Sequence, residues 1–177
     1  MHHSNECAEQ LVEMHKAARE DVPLIRELAE RIWRVHYPGI IGQAQIEYML
    51  SRMYALDRLR EEIDGGQVEY LVMEIDAEAV GFMALRDDPE SDSLRLDKLY
   101  LDPKLHGRGL GALMLAECER RARERARHRI VLHVNRQNQR ALRAYRRAGF
   151  SVAGESVTDI GQGFVMDDYR MEKPLGG

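Results

Sequence analysis

The chain has 177 residues, enough for one compact domain, with 44% hydrophobic and 32% charged residues. Its 26 Lys and Arg against 30 Asp and Glu leave a formal net charge of −4, which excludes a strongly basic nucleic-acid binder. No apolar run reaches the ~20 residues of a membrane span, Met1 to Gln10 lacks the apolar stretch of a signal peptide, and two cysteines, Cys7 and Cys118, suit free thiols of a cytoplasmic protein. The charge is uneven: Lys104 to Arg147 holds 13 basic and 3 acidic residues. That block carries an excess of ten positive charges and the remainder fourteen negative ones.

In chain order, Val12 to Ala17 reads as a short strand. Asp21 reads as an N-cap with Pro23 in the first turn of a helix. Leu24, Ile25, Leu28, Ile32 and Val35 form its apolar stripe, and Tyr37-Pro38-Gly39 ends it. Gln43 to Tyr54 is a second helix. Leu56 to Ile63 is a third, stopped by Gly65-Gly66. Val68 to Ile75 and Val80 to Leu85 flank Asp76-Ala77-Glu78 as a hairpin, and Leu94 to Leu101 is a further strand. A long helix follows from Gly109 to about Arg127, then a strand from Ile130 to Val134. Asn138 to Ala148 is a helix with Gly149 as its C′ residue. Ser151 to Val157 and Phe164 to Met171 close the chain as strands. This order describes one domain over residues 1–177, with 1–10 flexible, built on a mixed α/β sheet.

The segment from Asp102 to Gly111 joins a strand to a helix. Gly107, Gly109 and Gly111 leave backbone N–H groups uncovered, the helix adds its own unpaired N–H groups and positive dipole end, and Lys104 and Arg108 add charge. Such a turn suits a phosphate or pyrophosphate; its plainer reading is a tight turn. Gly111 is followed by Ala112 and Leu113 rather than Lys-Ser/Thr, so it is not a P-loop. Gly107, Gly109 and Ala112 formally meet the dinucleotide fingerprint. However, five residues separate Leu101 from Gly107, and Asn135-Arg136 stands where the ribose-binding acid belongs.

The turn Arg108-Gly109-Leu110-Gly111, followed by Asn138, Ala141, Tyr145 and Gly149-Phe150, resembles the GNAT superfamily of acyl-CoA N-acyltransferases. The second motif, N-x-x-A-x-x-x-Y-x-x-x-G-F, is complete. In the first, His106 replaces the usual Gln or Arg. The segments around Trp33, Gln45 to Leu50, Lys98-Leu99-Tyr100 and Asp159 to Tyr169 resemble bacterial polyamine N-acetyltransferases.

The resemblance implies a GNAT-like fold, a mixed, largely antiparallel sheet of about six to seven strands flanked by helices. It also implies transfer of an acetyl group from acetyl-CoA to a primary amine, without a metal. The narrower likeness makes that amine a polyamine; a protein or peptide acceptor, or a non-catalytic CoA-binding module, are the alternatives. The cofactor arm would lie along Leu99, Tyr100 and Leu101, and the pyrophosphate on His106, Gly107, Arg108, Gly109, Leu110, Gly111 and Ala112. Asn138, Ala141 and Arg147 would complete the cofactor site. Arg143 and Arg146 are further phosphate candidates or a solvated arginine face. Asn138 is also a natural N-cap.

Tyr145 would protonate the departing thiolate, with a core tyrosine as its plainer role. The Leu101 N–H would hold the oxyanion. Asp97 is the candidate base or a salt-bridge residue. Asp159, Asp167 and Asp168 are candidates for meeting a cationic acceptor, and the acidic remainder suits such an amine. The run Arg120 to Arg129 reads as a solvated helix end, and Trp33 as core or acceptor-pocket lining. The expected partner is a small-molecule amine, with neither nucleic acid nor membrane and with a homodimer as the assembly to look for.

Overall fold

Seven strands form one sheet in the computed structural model, which describes residues 10–88 and 91–176. His2, His3, Cys7 and the flexible segment expected at the N-terminus lie outside the described residues, save Gln10. The elements run β1 (Val12–Lys16), α1 (Val22–His36), α2 (Gln43–Met53), α3 (Leu56–Asp64), β2 (Val68–Ile75), β3 (Glu78–Asp87), β4 (Ser93–Leu101), α4 (Leu110–Glu124), β5 (Arg129–Asn135), α5 (Gln139–Arg147), β6 (Ser151–Gly161) and β7 (Phe164–Pro174). The strand order is β1-β2-β3-β4-β5-β7-β6. Every neighbouring pair is antiparallel except β4–β5, which α4 connects as a parallel crossover. The mixed, largely antiparallel sheet expected from the sequence is therefore present. No helix among the described residues is long and apolar enough to cross a membrane.

Two apolar layers sandwich the sheet. Helices α1 to α3 cover one face, where Ile25, Leu28, Ile32 and Trp33 pack on Tyr70, Val72, Phe82 and Ala84. Helix α4 covers the other, with Met114, Leu115 and Cys118 against Met83, Leu96 and Leu132. Each large apolar side chain so removed from water contributes about 1.5–3 kcal/mol relative to exposure. Strands β2 and β3 are buried on both sides, so their sequences read as apolar runs rather than alternating ones.

Three local readings change. Asp21 makes no side-chain cap to α1; its carboxylate accepts from Ala18 N–H at 2.8 Å and caps the preceding 3-10 turn. Helix α4 stops at Glu124, and Ala126 turns left-handed at φ 52°. Strands β6 and β7 run past the expected ends to Gly161 and Pro174, because their ladder forms whether or not side chains are buried.

One irregularity positions the site. Ala84 pairs with Lys98 while Leu85 pairs with Leu96, so Asp97 is an extra, bulged residue on β4. The bulge lets Leu94 and Leu96 before it and Leu99 and Leu101 after it all face α4. Beside it β3 approaches closely: a Cβ on Gly81 would lie 2.6 Å from Tyr100 O and 3.2 Å from Leu101 Cα. Gly81→Ala should therefore force β3 and β4 apart, lowering stability by about 1–3 kcal/mol in denaturant unfolding and weakening acetyl-CoA binding in calorimetry.

Candidate active site

The site lies where β4 and β5 part. Their parallel pairing runs from Ser93↔Arg129 to Leu96↔Leu132, although β4 continues to Leu101 and β5 to Asn135. On its other side β4 stays paired with β3 through Gly81↔Leu101, and Asp102 N–H donates to Val80 O at 2.8 Å. Antiparallel pairs alternate between exchanging two hydrogen bonds and none. The N–H and C=O groups of Leu99 and Leu101 therefore point away from β3, into the gap. A cleft of about 890 Å³ runs through it.

At one end of the cleft the chain turns through Gly107 and Gly109, at φ 82° and 80°, and Gly109 caps α4. From Gly107 to Ala112, no backbone N–H donates to a described acceptor; the first helical bond runs from Leu113 to Gly109. Six consecutive donors at a helix N-terminus form an anion cradle. A Cβ on Gly107, Gly109 or Gly111 would meet nothing within 4 Å. Gly111 has a helical conformation and no crowding from the protein, so its bareness leaves room for a molecule arriving from outside. Side by side on α5, Arg140, Arg143 and Arg147 line the cleft near the cradle, whereas Arg146, Arg108 and Lys104 do not.

His106 lies between cradle and gap. Its Nε2 donates to Leu101 O at 3.1 Å, leaving Nδ1 buried and without a partner. Burial, and next Arg140, holds its pKa below the ordinary histidine value, which favours the neutral ring. Asn138 caps α5 through Oδ1, which accepts from Ala141 N–H at 3.2 Å, and its Nδ2 donates to His36 Nε2 at 3.1 Å. One amide hydrogen of Asn138 remains. His36, at the end of α1, is a lining residue that the sequence did not single out.

Mid-cleft are Tyr145 and Asp168. Tyr145 stacks edge-on against Phe150 at 5.7 Å, and its hydroxyl has no hydrogen-bond partner among the described residues. Burial, with Cys118 nearby, pushes its pKa well up, so it stays a neutral phenol. Asp168, opposite Asn135 on β7, is only 6% exposed yet has no ion pair or hydrogen bond from its carboxylate to a described residue. Burial first, and Asp167 second, raises its pKa to about 6. Tyr37, on the same cleft wall, hydrogen-bonds Tyr100 at 3.3 Å, and burial pushes its pKa well up.

Residues 25–150 match the acetyltransferase (GNAT) family. The chain belongs to the GNAT family of acetyltransferases. A spermidine N(1)-acetyltransferase of Thermoplasma acidophilum is 28% identical over 153 residues, covering 84% of this chain and 94% of that one. The Escherichia coli peptidyl-lysine N-acetyltransferase YjaB is 33% identical over 84 residues, 47% of this chain and 50% of its own. The crystal structure of PaiA N-acetyltransferase from Thermoplasma acidophilum in complex with coenzyme A has a TM-score of 0.80 at 27% identity, covering 93% and 99% of the two chains.

This acetyltransferase uses acetyl-CoA as its cosubstrate, and the bare cradle fits a pyrophosphate. Leu110 is buried in the core, so only its backbone faces the turn. Asp97, the candidate base or salt-bridge residue, is gripped by two guanidiniums, Arg86 Nε at 3.1 Å and Arg95 Nε at 2.6 Å. Cys118 is fully buried and its thiol is pushed up to about 12, so it is a poor nucleophile. Trp33 is a core residue, 1% exposed, that also forms part of the cleft wall.

The arginines at the end of α4, read from the sequence as a solvated helix end, are largely held in ion pairs. Arg121 and Arg125 pair with Glu69, Arg125 and Arg127 with Asp87, and Arg120 with Glu117 and Glu124, tying the end of α4 to β2 and β3. The charge excess coincides with the cleft only at Arg140, Arg143 and Arg147. Nor is the far end of the cleft acidic, as the overall charge suggested. Arg58, Arg86, Arg95 and Lys98 line it against Glu62 and Asp97.

Proposed function

We propose that this acetyltransferase passes an acetyl group from acetyl-CoA directly to a primary amine within a ternary complex. The observation that carries the reading is an unbonded phenol and an unpaired buried carboxylate, Tyr145 and Asp168, open to one cleft beside the backbone N–H groups of Leu99 and Leu101, which point into the gap between β4 and β5. In this reading the cofactor arm runs along Leu99 to Leu101, and its pyrophosphate sits on His106 to Ala112. Asn138, Ala141 and Arg147 complete its site.

Asp168 receives the acceptor's ammonium and takes its proton, so that the amine lone pair can form the C–N bond. The Leu101 N–H faces the carbonyl oxygen as charge develops on it. Tyr145 gives its proton to sulfur as the C–S bond breaks, so a neutral thiol departs. Asp97 positions arginines and is not the base. The reaction suits a cytoplasmic protein with access to acetyl-CoA.

The relatives suggest two acceptor classes. The spermidine acetyltransferase matches along nearly its whole length and suggests a polyamine; the peptidyl-lysine enzyme matches over half of its own and suggests a peptide. The test is a thiol-release screen of polyamines, amino acids, aminoglycosides and peptides, beside calorimetry with acetyl-CoA. Binding, with release from at least one amine, is expected. An absence of acetyl-CoA binding would refute the reading.

A further inference from the structure

The far end of the cleft holds a pattern that fold stability does not explain. Arg86 and Arg95 stand directly opposite each other on β3 and β4. Like charges in that position repel and destabilise a sheet. One carboxylate, Asp97, serves both, and each arginine contacts it through Nε. The terminal nitrogens of both guanidiniums, which grip an oxyanion two-pronged, have no hydrogen bond to a described residue. Beside them Glu62 is likewise shared between Arg58 and Lys98. All six residues line the cleft, so four cations face two carboxylates. His133 Nδ1, also on this wall, is buried without a partner among the described residues, and burial first, then Arg95 and Arg170, opposes its protonation.

We infer that the acceptor carries, besides its amine, an oxyanion, a carboxylate or phosphonate, held by the free ends of Arg86 and Arg95. This inference rests on the acetyl-transfer reading above. It also fixes an approximate length. Arg95 is level with Val131 on β5, and Asp168 with Asn135. Four residues of strand span about 13 Å, and the arginines lean from their level toward Asp97. Amine and anion are therefore separated by several bonds, as in an ω-amino acid and not an α-amino acid. A polyamine would bring its second cation to the arginines.

A matched series tests this: 6-aminohexanoate, 5-aminopentylphosphonate, hexylamine and hexane-1,6-diamine, with spermidine and glycine beside them. They vary the terminal charge, the kind of anion and the length, with thiol release as readout. An anionic amine is expected to exceed hexylamine in kcat/KM by about tenfold or more, and hexylamine to exceed the diamine. The carboxylate and phosphonate arms identify which oxyanion fits. Arg95→Gln and Arg86→Gln should each shrink the anionic-to-neutral ratio, and Arg95→Lys should retain part of it. If hexane-1,6-diamine or spermidine is used as well as 6-aminohexanoate, the inference is wrong while acetyl transfer stands. If no amine releases thiol although acetyl-CoA binds, the small-amine reading falls and this inference with it.

Discussion

Tyr145→Phe is expected to lower kcat by about 10²-fold or more while leaving the affinity for acetyl-CoA within a few-fold. The substitution removes a hydroxyl that bonds to no described residue, so the packing of the ring on Phe150 is kept. Loss of packing therefore cannot produce so large an effect. The proposed cause is chemical: an alkyl thiolate is a poor leaving group, and in the proposed reaction the neutral phenol supplies the missing proton. Burial keeps Tyr145 protonated across the working pH range. The decisive measurement replaces acetyl-CoA with an acetyl thioester of an acidic aryl thiol, which departs without help. The gap between wild type and Tyr145→Phe should narrow sharply with that donor. An equal gap with both donors would assign Tyr145 a structural role.

Asp168→Asn should reduce kcat/KM by about 10²- to 10⁴-fold and at the same time stabilise the protein near neutral pH. The carboxyl is 6% exposed, has no cation beside it, and has a folded-state pKa of about 6. An unfolded aspartate titrates near ~3.9. Folding therefore raises this pKa, and the folded state bears the cost of a buried charge at pH values where the group is ionised. Below the unfolded pKa there is no such cost. It grows as pH rises toward about 6 and is constant above. Removing it should stabilise by up to about 3 kcal/mol at pH 7.5 and by almost nothing at pH 4, in urea unfolding.

The same titration appears in the wild-type rate. Asp168 accepts a proton only when ionised, so kcat/KM should fall with unit slope below about pH 6, and Asp168→Asn should lose that limb. A variant that loses both stability and activity at pH 7.5 would identify Asp168 as an ordinary structural residue.

Much of this site was legible in the sequence because its parts are local. The cradle is a run of glycines at a strand-to-helix junction, and the N–H groups it exposes follow from helix geometry. Asn138 was readable as an N-cap because that bond closes within three residues, to Ala141. Its second bond, to His36, spans 102 residues and has no local signature. Asp97 was read as a candidate base or a salt-bridge residue, and two residues away on the same strand Arg95 does pair with it. The bulge at Asp97 escaped alternation, because an extra residue shows only in the register of the partner strand.

The sequence by itself determined the order of elements and the glycine turn at the strand-to-helix junction, since each depends on neighbours a few residues apart, whereas the role expected of Tyr145 came from the family resemblance. Only the tertiary structure decided the electrostatics. A net charge of −4, and even the local excess in one block, says nothing of which charges face a cleft. Folding committed four arginines of that block, Arg120, Arg121, Arg125 and Arg127, to ion pairs with Glu69, Asp87 and Glu117. It set two arginines against one carboxylate at the far end of the cleft, and it left one buried aspartate without a partner. Charge interactions depend on separation and burial, and both arise from contacts distant in sequence.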